Sequence, residues 1–302
     1  METPTPGPGE ALIKHRFVGV NFIDTYHRTG LYPVALPSGI GVEATGTVEA
    51  IGADVVGLRI GERVGYAGGP PGAYAEQRVY SADRLIPLPA DITDEQAAAL
   101  LLKGMTVESL LRAVPVRAGD TVLLHAAAGG VGLIACQWLS SLGVRVLATV
   151  GSEVKAALVA SSGAAEVIVT ESESFVDRVR SLTSGRGVRI VYDGVGRDTV
   201  PGSLHCLEPR GTLIVFGNAS GKPDPIDVLD LAKGSFFLTR PVLFQYIATR
   251  EELLASASAV FDAVRSRRVR VHVGQRFALD EAAEAHRLLE SRSTTGATLL
   301  LP

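Results

Sequence analysis

The sequence predicts an α/β protein in which a doubly wound parallel sheet interrupts a β-rich domain. Three observations carry that prediction. Residues 105–241 alternate short apolar runs with stretches of helical length. Residues 10–90 hold short runs of β character cut by Gly and Pro, with little helical period. Residues 242–302 return to the composition of that first stretch. The chain therefore reads as one discontinuous domain, residues 1–104 and 242–302, around a second, residues 105–241.

In order, residues 11–20, 46–51 and 63–66 read as strands, with a Gly/Pro turn over 67–72. Residues 95–102 are rich in Ala and Leu and read as a helix with Thr93 at its N-cap. The alternation then begins. Strands are predicted at 121–126, 144–150, 166–169, 188–192, 211–216 and 235–239, and helices at 131–142, 152–161, 174–184 and 198–206. Gly143 and Gly163 stop the first two helices. A connection through 227–232 precedes the sixth strand. Six strands in this rhythm make right-handed βαβ units and a complete Rossmann sheet. Helices at 251–265 and 280–291, and strands at 269–275 and 297–301, finish the first domain.

Composition excludes several classes. With 46% hydrophobic and 20% charged residues the chain buries a large core and is not disordered. Its net charge of −3 supplies no basic field, so neither nucleic acid nor an anionic membrane surface is an expected partner. Apolar runs break well before the roughly 18 residues of a membrane span, and residues 1–10 show no charged-then-apolar signal. Two cysteines, Cys136 and Cys206, build no disulfide framework. The reducing cytoplasm is the expected compartment.

The sharpest local signal is the apolar strand ending at His125, the turn Ala126-Ala-Ala-Gly-Gly130 and the helix that opens directly after it. At the spacing of a phosphate-binding glycine turn stand Ala127, Gly129 and Gly132, with alanine replacing the first glycine. Gly129 admits a pyrophosphate to the backbone, and Gly132 lets the helix pack on the strand. The amides near Gly130 and Val131 then hold the phosphate charge. The other reading is an ordinary strand-to-helix turn that binds nothing.

Such folds place an acidic residue for the ribose hydroxyls at the end of the second strand, about 20 residues on. Here that stretch is Ala148-Thr-Val-Gly-Ser-Glu-Val-Lys155, with no terminating Asp or Glu. Glu153 lies inside the next helix, and Lys155 stands where a 2′-phosphate is met. The arrangement favours NADP over NAD, against the plainer reading of Lys155 as a solvated helix face.

Metal ligands are scarce. The sequence has no Cys-x-x-Cys, Cys136 reads as a small buried hydrophobe, and the adjacent His205 and Cys206 point apart on a helix. No metal site is expected, and no Gly-x-Ser-x-Gly nucleophile turn occurs. Any chemistry falls to a cofactor.

Taken together, Asn21-Phe-Ile-Asp-Thr-Tyr26, Gly30-Leu-Tyr, Pro37-Ser-Gly-Ile-Gly-Val-Glu43, His125 to Gly132, Tyr192-Asp-Gly-Val-Gly196 and Phe216-Gly-Asn218 resemble one family from about residue 9 to the C-terminus. It is the zinc-independent, zeta-crystallin-like quinone oxidoreductases of the medium-chain dehydrogenase/reductase superfamily. The resemblance implies a GroES-like catalytic domain beside the Rossmann domain. It also implies NADPH as donor, a quinone or conjugated carbonyl as acceptor, and a homodimer built through cofactor-domain edge strands. It places Asn21 and Tyr26 at the nicotinamide with Thr106 nearby. Gly151, Lys155 and Arg292 match positions at the 2′-phosphate, and Phe216, Gly217 and Asn218 match the strand end at the nicotinamide ribose. Thr170 departs from a Tyr common in relatives. Because relatives carry about twenty further residues before Glu10, the catalytic domain is expected to show an uncovered β edge.

Residue chemistry allows both Asn21 and Tyr26 to donate a hydrogen bond to a carbonyl oxygen as it gains charge. Each also has a plainer reading, Asn21 as a cap and Tyr26 as a packing residue. Asp24 reads as a helix cap. Two functions follow: NADPH-dependent reduction of quinones or of conjugated double bonds, and an NADPH-binding protein with a structural or sensing role.

Overall fold

The structure, a computed structural model, describes residues 4–302. Residues 1–3, the start of the segment read for a signal and of the first expected domain, lie outside the described residues. Two compact units are present: the residues up to Met105 with Tyr246–Asp262 and Val271–Pro302, and Thr106–Gln245 with Ala263–Arg270.

The first unit opens with β1 (Glu10–Val20), α1 (Phe22–Arg28), β2 (Glu43–Ile51), β3 (Arg63–Ala67), β4 (Gln77–Ser81) and β5 (Ile86–Pro87). Helix α2 (Asp94–Ala113) follows and runs on into the second unit. It is far longer than the 95–102 expected from sequence and runs through Gly104. Gly104 is a packing residue within it, since a Cβ there would meet Val260 Cγ1 at 2.7 Å.

In the second unit come β6 (Thr121–Leu124), α3 (Gly130–Ser141), β7 (Arg145–Val150), α4 (Glu153–Ser161), β8 (Glu166–Val169), α5 (Phe175–Leu182), β9 (Val188–Asp193), α6 (Val200–Cys206), β10 (Leu207–Val215), α7 (Val228–Ala232) and β11 (Phe237–Thr239). The chain continues through α8 (Leu243–Tyr246), α9 (Arg250–Arg265), β12 (Val273–Ala278), α10 (Ala282–Glu290) and β13 (Ala297–Leu301). Strand β12 starts later than the 269–275 expected, because the Val269 amide closes the end of α9 on Ala263 O.

The seven-stranded sheet of the first unit runs β12-β13-β1-β2-β3-β5, with β4 also on β1. Strand β1 is covered on both sides. β2 lies along one edge, while β4 and β13 share the other, β4 against Glu10–Lys14 and β13 against Val18–Val20. The uncovered edge expected from the short start is therefore not at this strand. Ala11, Ile13, Val18, Val48, Val64 and Tyr66 pack its core.

The second unit is a six-stranded sheet in the order β11-β10-β9-β6-β7-β8, parallel at every pairing. This is the doubly wound Rossmann order. Leu123, Leu147, Val191 and Leu213 are buried at its centre, as strands covered on both faces require. The two halves diverge between β6 and β9. Ligands of such sheets bind above the strand ends at that divergence.

Candidate active site

The phosphate turn forms where β6 gives way to α3. Ala126 adopts a left-handed backbone (φ 52°) and makes the tight bend, one position before Ala127, which stands at the first glycine position of the motif. The buried Ala127 donates its amide to Thr149 O on β7 at 2.9 Å, fixing the turn against its neighbour. Gly132 is required by packing, because a Cβ would lie 2.6 Å from both Ala126 O and Ala127 Cα. Gly129, the N-cap, has room: its Cβ would meet only Ala126 O, at 3.4 Å. As the first three residues of α3, Gly130, Val131 and Gly132 have amides without carbonyl partners inside the helix, and no side chain caps them. These amides and the space at Gly129 fit a diphosphate.

A buried hydrogen-bonded chain holds that turn from behind. Asp193, fully buried at the end of β9, accepts through Oδ1 from the Val195 and Gly196 amides and Thr199 Oγ1, and through Oδ2 from Ser203 Oγ at 2.9 Å. Ser203 thus spends its proton on the carboxylate and accepts from His125 Nε2–H at 3.0 Å. His125 Nδ1 then accepts from Thr149 Oγ1 at 3.0 Å, and Thr149 Oγ1 accepts the Ala126 amide. Burial pulls His125 below the ordinary imidazole range, with the Asp193 carboxylate opposing, so the ring is a neutral link. In the sequence Thr149, Asp193 and His125 stand only as members of quoted motifs, with no role of their own, and Ser203 has no signal at all.

Strand β7 ends at Val150, and no acid terminates it. A Cβ on the exposed Gly151 would meet nothing within 4 Å, and Lys155 lies half-buried in the first turn of α4. Burial lowers the Lys155 ammonium from its usual value, while the Glu171 carboxylate, beyond β8, opposes that shift. Glu171 is an acid the sequence reading did not place here. Thr170 is engaged with Val150 O through both its amide and its hydroxyl. At the end of β10, the Phe216 amide donates to Asp193 O at 2.8 Å. Gly217 packs so closely on Gly194 O that no side chain fits, and Asn218 is buried beyond it.

In the first unit, α1 presents the two residues expected at the nicotinamide. Asn21 is its N-cap, and the Asn21 amide donates to Asp24 Oδ2 at 2.8 Å. The Asn21 side chain donates to Glu43 Oε2 at 2.9 Å and to Gly19 O at 3.3 Å. Both acceptors are oxygens, which fixes the amide orientation and uses both its hydrogens. The expectation that Asn21 donates to a substrate carbonyl is therefore corrected: both its amide hydrogens are spent within the protein. Tyr26 is buried, with its ring edge-on to Tyr32 at 5.0 Å. Beneath them Glu43 is fully buried, accepting the Leu102 amide on Oε1 (2.7 Å) and Lys103 Nζ on Oε2 (3.1 Å). This buried ion pair was also missed. Thr106 lies in α2 and belongs to the second unit, whereas Arg292, with a left-handed backbone (φ 60°) after α10, belongs to the first.

Among the described residues, no three His, Cys, Asp or Glu side chains stand where they could share a metal ion. Burial pushes both thiols up to about 12.

A Rossmann sheet with a diphosphate turn, joined to a β-rich unit that carries a buried polar cluster, defines a two-unit nicotinamide-dependent dehydrogenase or reductase. Residues 7–90 match the family described as Alcohol dehydrogenase GroES-like domain, and residues 130–258 match Zinc-binding dehydrogenase. The chain is 49% identical over 300 residues to a quinone oxidoreductase of Pseudomonas aeruginosa, spanning 98% of this chain and 92% of that protein. A 2-haloacrylate reductase of Burkholderia sp is 42% identical over 311 residues, with 100% and 93% covered. The crystal structure of Escherichia coli quinone oxidoreductase complexed with NADPH superposes with a TM-score of 0.97 at 45% identity, covering 100% of this chain and 94% of that one. The chain belongs to the zeta-crystallin-like quinone oxidoreductases of the medium-chain dehydrogenase/reductase superfamily.

Proposed function

We propose that this protein is an NADPH:quinone oxidoreductase that works without a metal ion. The observation that carries the reading is the diphosphate turn, with three unpaired helix amides and room at Gly129, on a chain this similar to quinone oxidoreductases. The discontinuous domain expected at residues 1–104 and 242–302 is read as the catalytic domain, and the one expected at 105–241 as the cofactor domain; the compact units differ from these bounds in placing residues 263–270 with the second.

Ala127, Gly129, Gly130, Val131 and Gly132 form the diphosphate site, the amides of Gly130, Val131 and Gly132 donating to it while Ala127 and Gly129, whose amides are bonded within the turn, shape the space. Gly151 leaves room for the adenosine end, where Lys155 and Arg292 meet the 2′-phosphate. Phe216, Gly217 and Asn218 border the nicotinamide ribose. The chemistry that NADPH supplies when bound is hydride donation from C4. Asn21, Tyr26 and Thr106 line the reacting face, and Tyr26 Oη hydrogen-bonds the acceptor oxygen as it gains charge. Replacing Tyr26 by Phe is expected to lower turnover about tenfold and leave the NADPH dissociation constant within about twofold; steady-state rates beside calorimetry check this, and unchanged turnover removes Tyr26 from the reaction.

For coenzyme choice, Lys155→Ala is expected to weaken NADPH about tenfold and leave NADH unchanged, the loss of one charge-assisted contact. Equal affinities of the unsubstituted protein for both coenzymes, by calorimetry, would contradict the assignment.

A second reading, reduction of a conjugated carbon–carbon double bond, is favoured by the identity to the 2-haloacrylate reductase. Trial of quinones against α,β-unsaturated ketones separates the two.

We further infer a homodimer through β11. That strand ends the sheet, Phe237 and Leu238 on it are 60% and 40% exposed, and Val228 and Leu229 on α7 are exposed too. An apolar sheet edge of this kind calls for a partner strand. Sedimentation should give the mass of two chains, and Phe237→Asp should give that of one. The buried free thiols suit a reducing cytoplasm, and no helix of the described residues is long and apolar enough to cross a membrane.

A further inference from the structure

Helix α1 is gripped by a ring of hydrogen bonds that no step above uses. Asp24, fully buried, accepts the Asn21 amide and Tyr74 Oη–H (3.1 Å) on Oδ2, while its buried Oδ1 has no partner. Tyr74 Oη lies 2.8 Å from His286 Nε2 on α10, and His286 Nδ1 lies 2.9 Å from Arg28 Nη1, back on α1. Arg28 also pairs with Glu290 at 2.6 Å. Asp24 and Arg28 are four positions apart, on one face of the helix, so Tyr74 and His286 bridge them.

The direction of every bond follows from chemistry. A guanidinium only donates, so His286 Nδ1 accepts and its proton sits on Nε2. That Nε2–H donates to Tyr74 Oη, which leaves the tyrosine hydrogen for Asp24. Burial first, and then the Arg28 charge, hold His286 below the usual imidazole range, which keeps this neutral form. All the hydrogens point from the cation at Arg28 toward the carboxyl at Asp24. Left-handed Gly41 (φ +91°) packs directly against the Tyr74 ring, where any side chain would collide, so the backbone is shaped to admit the tyrosine.

We propose that Asp24, Tyr74, His286 and Arg28 form a closed clamp that positions α1, and with it Asn21 and Tyr26, for the reaction. The proposal rests on the reading of those two residues as catalytic. These four are positioning residues and touch no substrate. An anionic Asp24 is the clamp's best acceptor. Burial raises its pKa from the ordinary carboxylate range to about 7, and the charges facing it are Lys103 on α2, which lowers it, and Glu43 on β2, which raises it. Arg28, His286 and Glu290 stand along the ring.

The test pairs a direct carboxyl titration by carbon NMR with the pH profile of kcat/KM for a quinone. In the unsubstituted enzyme, kcat/KM should rise with pH through a midpoint near the carboxyl's own, about 7. Tyr74→Phe removes a donor to the carboxylate. It should lower kcat/KM about tenfold and move both midpoints about one pH unit higher. Asp24→Asn should abolish the acid limb. His286→Leu should behave like Tyr74→Phe, whereas His286→Gln can accept from Arg28 and donate to Tyr74 and should recover most of the rate. A merely structural role would leave the kcat/KM midpoint unmoved even where the carboxyl midpoint shifts.

A kcat/KM profile unchanged in Tyr74→Phe and His286→Leu overturns the clamp and leaves the function standing. An enzyme that turns over no quinone overturns the function instead. In that case an Asp24 midpoint unmoved by Tyr74→Phe overturns the clamp as well, and a midpoint that moves supports it.

Discussion

Replacing Gly132 by Val is expected to abolish measurable NADPH binding while the first unit stays folded. The Cβ would press on Ala126 O, Ala127 Cα and Ala127 C at 2.6, 2.6 and 2.7 Å. All three atoms are backbone of the phosphate turn, so α3 must draw away from β6. The amides of Gly130, Val131 and Gly132 would then no longer converge. Each amide-to-phosphate bond is charge-assisted and contributes about 1.5–3 kcal/mol, so losing even two costs on the order of a hundredfold or more in affinity. Gly129→Ala is the discriminating partner. Its methyl makes one ordinary contact, at 3.4 Å, within the chain. It should leave the unfolding temperature unchanged and still weaken NADPH, because the space it takes is the space the diphosphate needs. Calorimetry beside thermal unfolding checks both, and undiminished binding in Gly132→Val would rule the turn out as the diphosphate site.

The largest loss of stability is expected from Lys103→Met. Glu43 is fully exposed to none of the solvent, and the Lys103 side chain is only 6% exposed. Removing the ammonium strands a carboxylate that also fixes Asn21 and the Leu102 amide. Breaking one partner of such a buried pair costs about 3–5 kcal/mol, mostly the penalty of the uncompensated charge. The urea midpoint should fall accordingly, and turnover should fall with it, because the carboxylate that anchors Asn21 loses the ammonium that holds it in place. Adding Glu43→Gln to Lys103→Met should recover part of the stability by removing that charge. A double substitution no more stable than the single one would show that lost packing of the lysine stem, and not the stranded charge, sets the cost.

Asp24 gives stability a pH dependence of opposite sign to that of a paired carboxylate. Its folded pKa, about 7, lies above the ordinary value of 3.8. Between those values the folded chain keeps a proton that the unfolded chain has released, so stability falls as pH rises from about 4 to about 7 and then levels. Asp24→Asn should remove that slope from urea unfolding measured across the range, and a slope left unchanged would place the titration elsewhere.

What could be read in the sequence was local. The phosphate turn is a run of adjacent residues whose glycine spacing reports a backbone requirement, and β6 to β11 announce themselves by the alternation of apolar runs with helices. The missing acid after β7 is equally local. The polar networks are not. His125 meets Ser203 across 78 positions, Lys103 meets Glu43 across 60, and Tyr74 meets His286 across 212. Each of those residues in isolation has an ordinary reading as a buried or capping side chain, and only the fold brings their donors and acceptors together. Asn21 shows the limit most clearly. Its position on α1 was legible, but its chemistry was not, because Glu43 and Gly19 take both amide hydrogens. Helix α2 shows the same limit in the fold: the sequence supports 95–102, and the close packing of Gly104 on Val260 inside the longer helix is invisible there.

The most direct measurement follows the absorbance of reduced nicotinamide when the purified protein is mixed with NADPH and a simple para-quinone. The account predicts consumption of NADPH that depends on both protein and quinone and is much slower with NADH. Tight NADPH binding without consumption, across a panel of quinones and conjugated ketones, would contradict it and leave a protein that holds the coenzyme without using it.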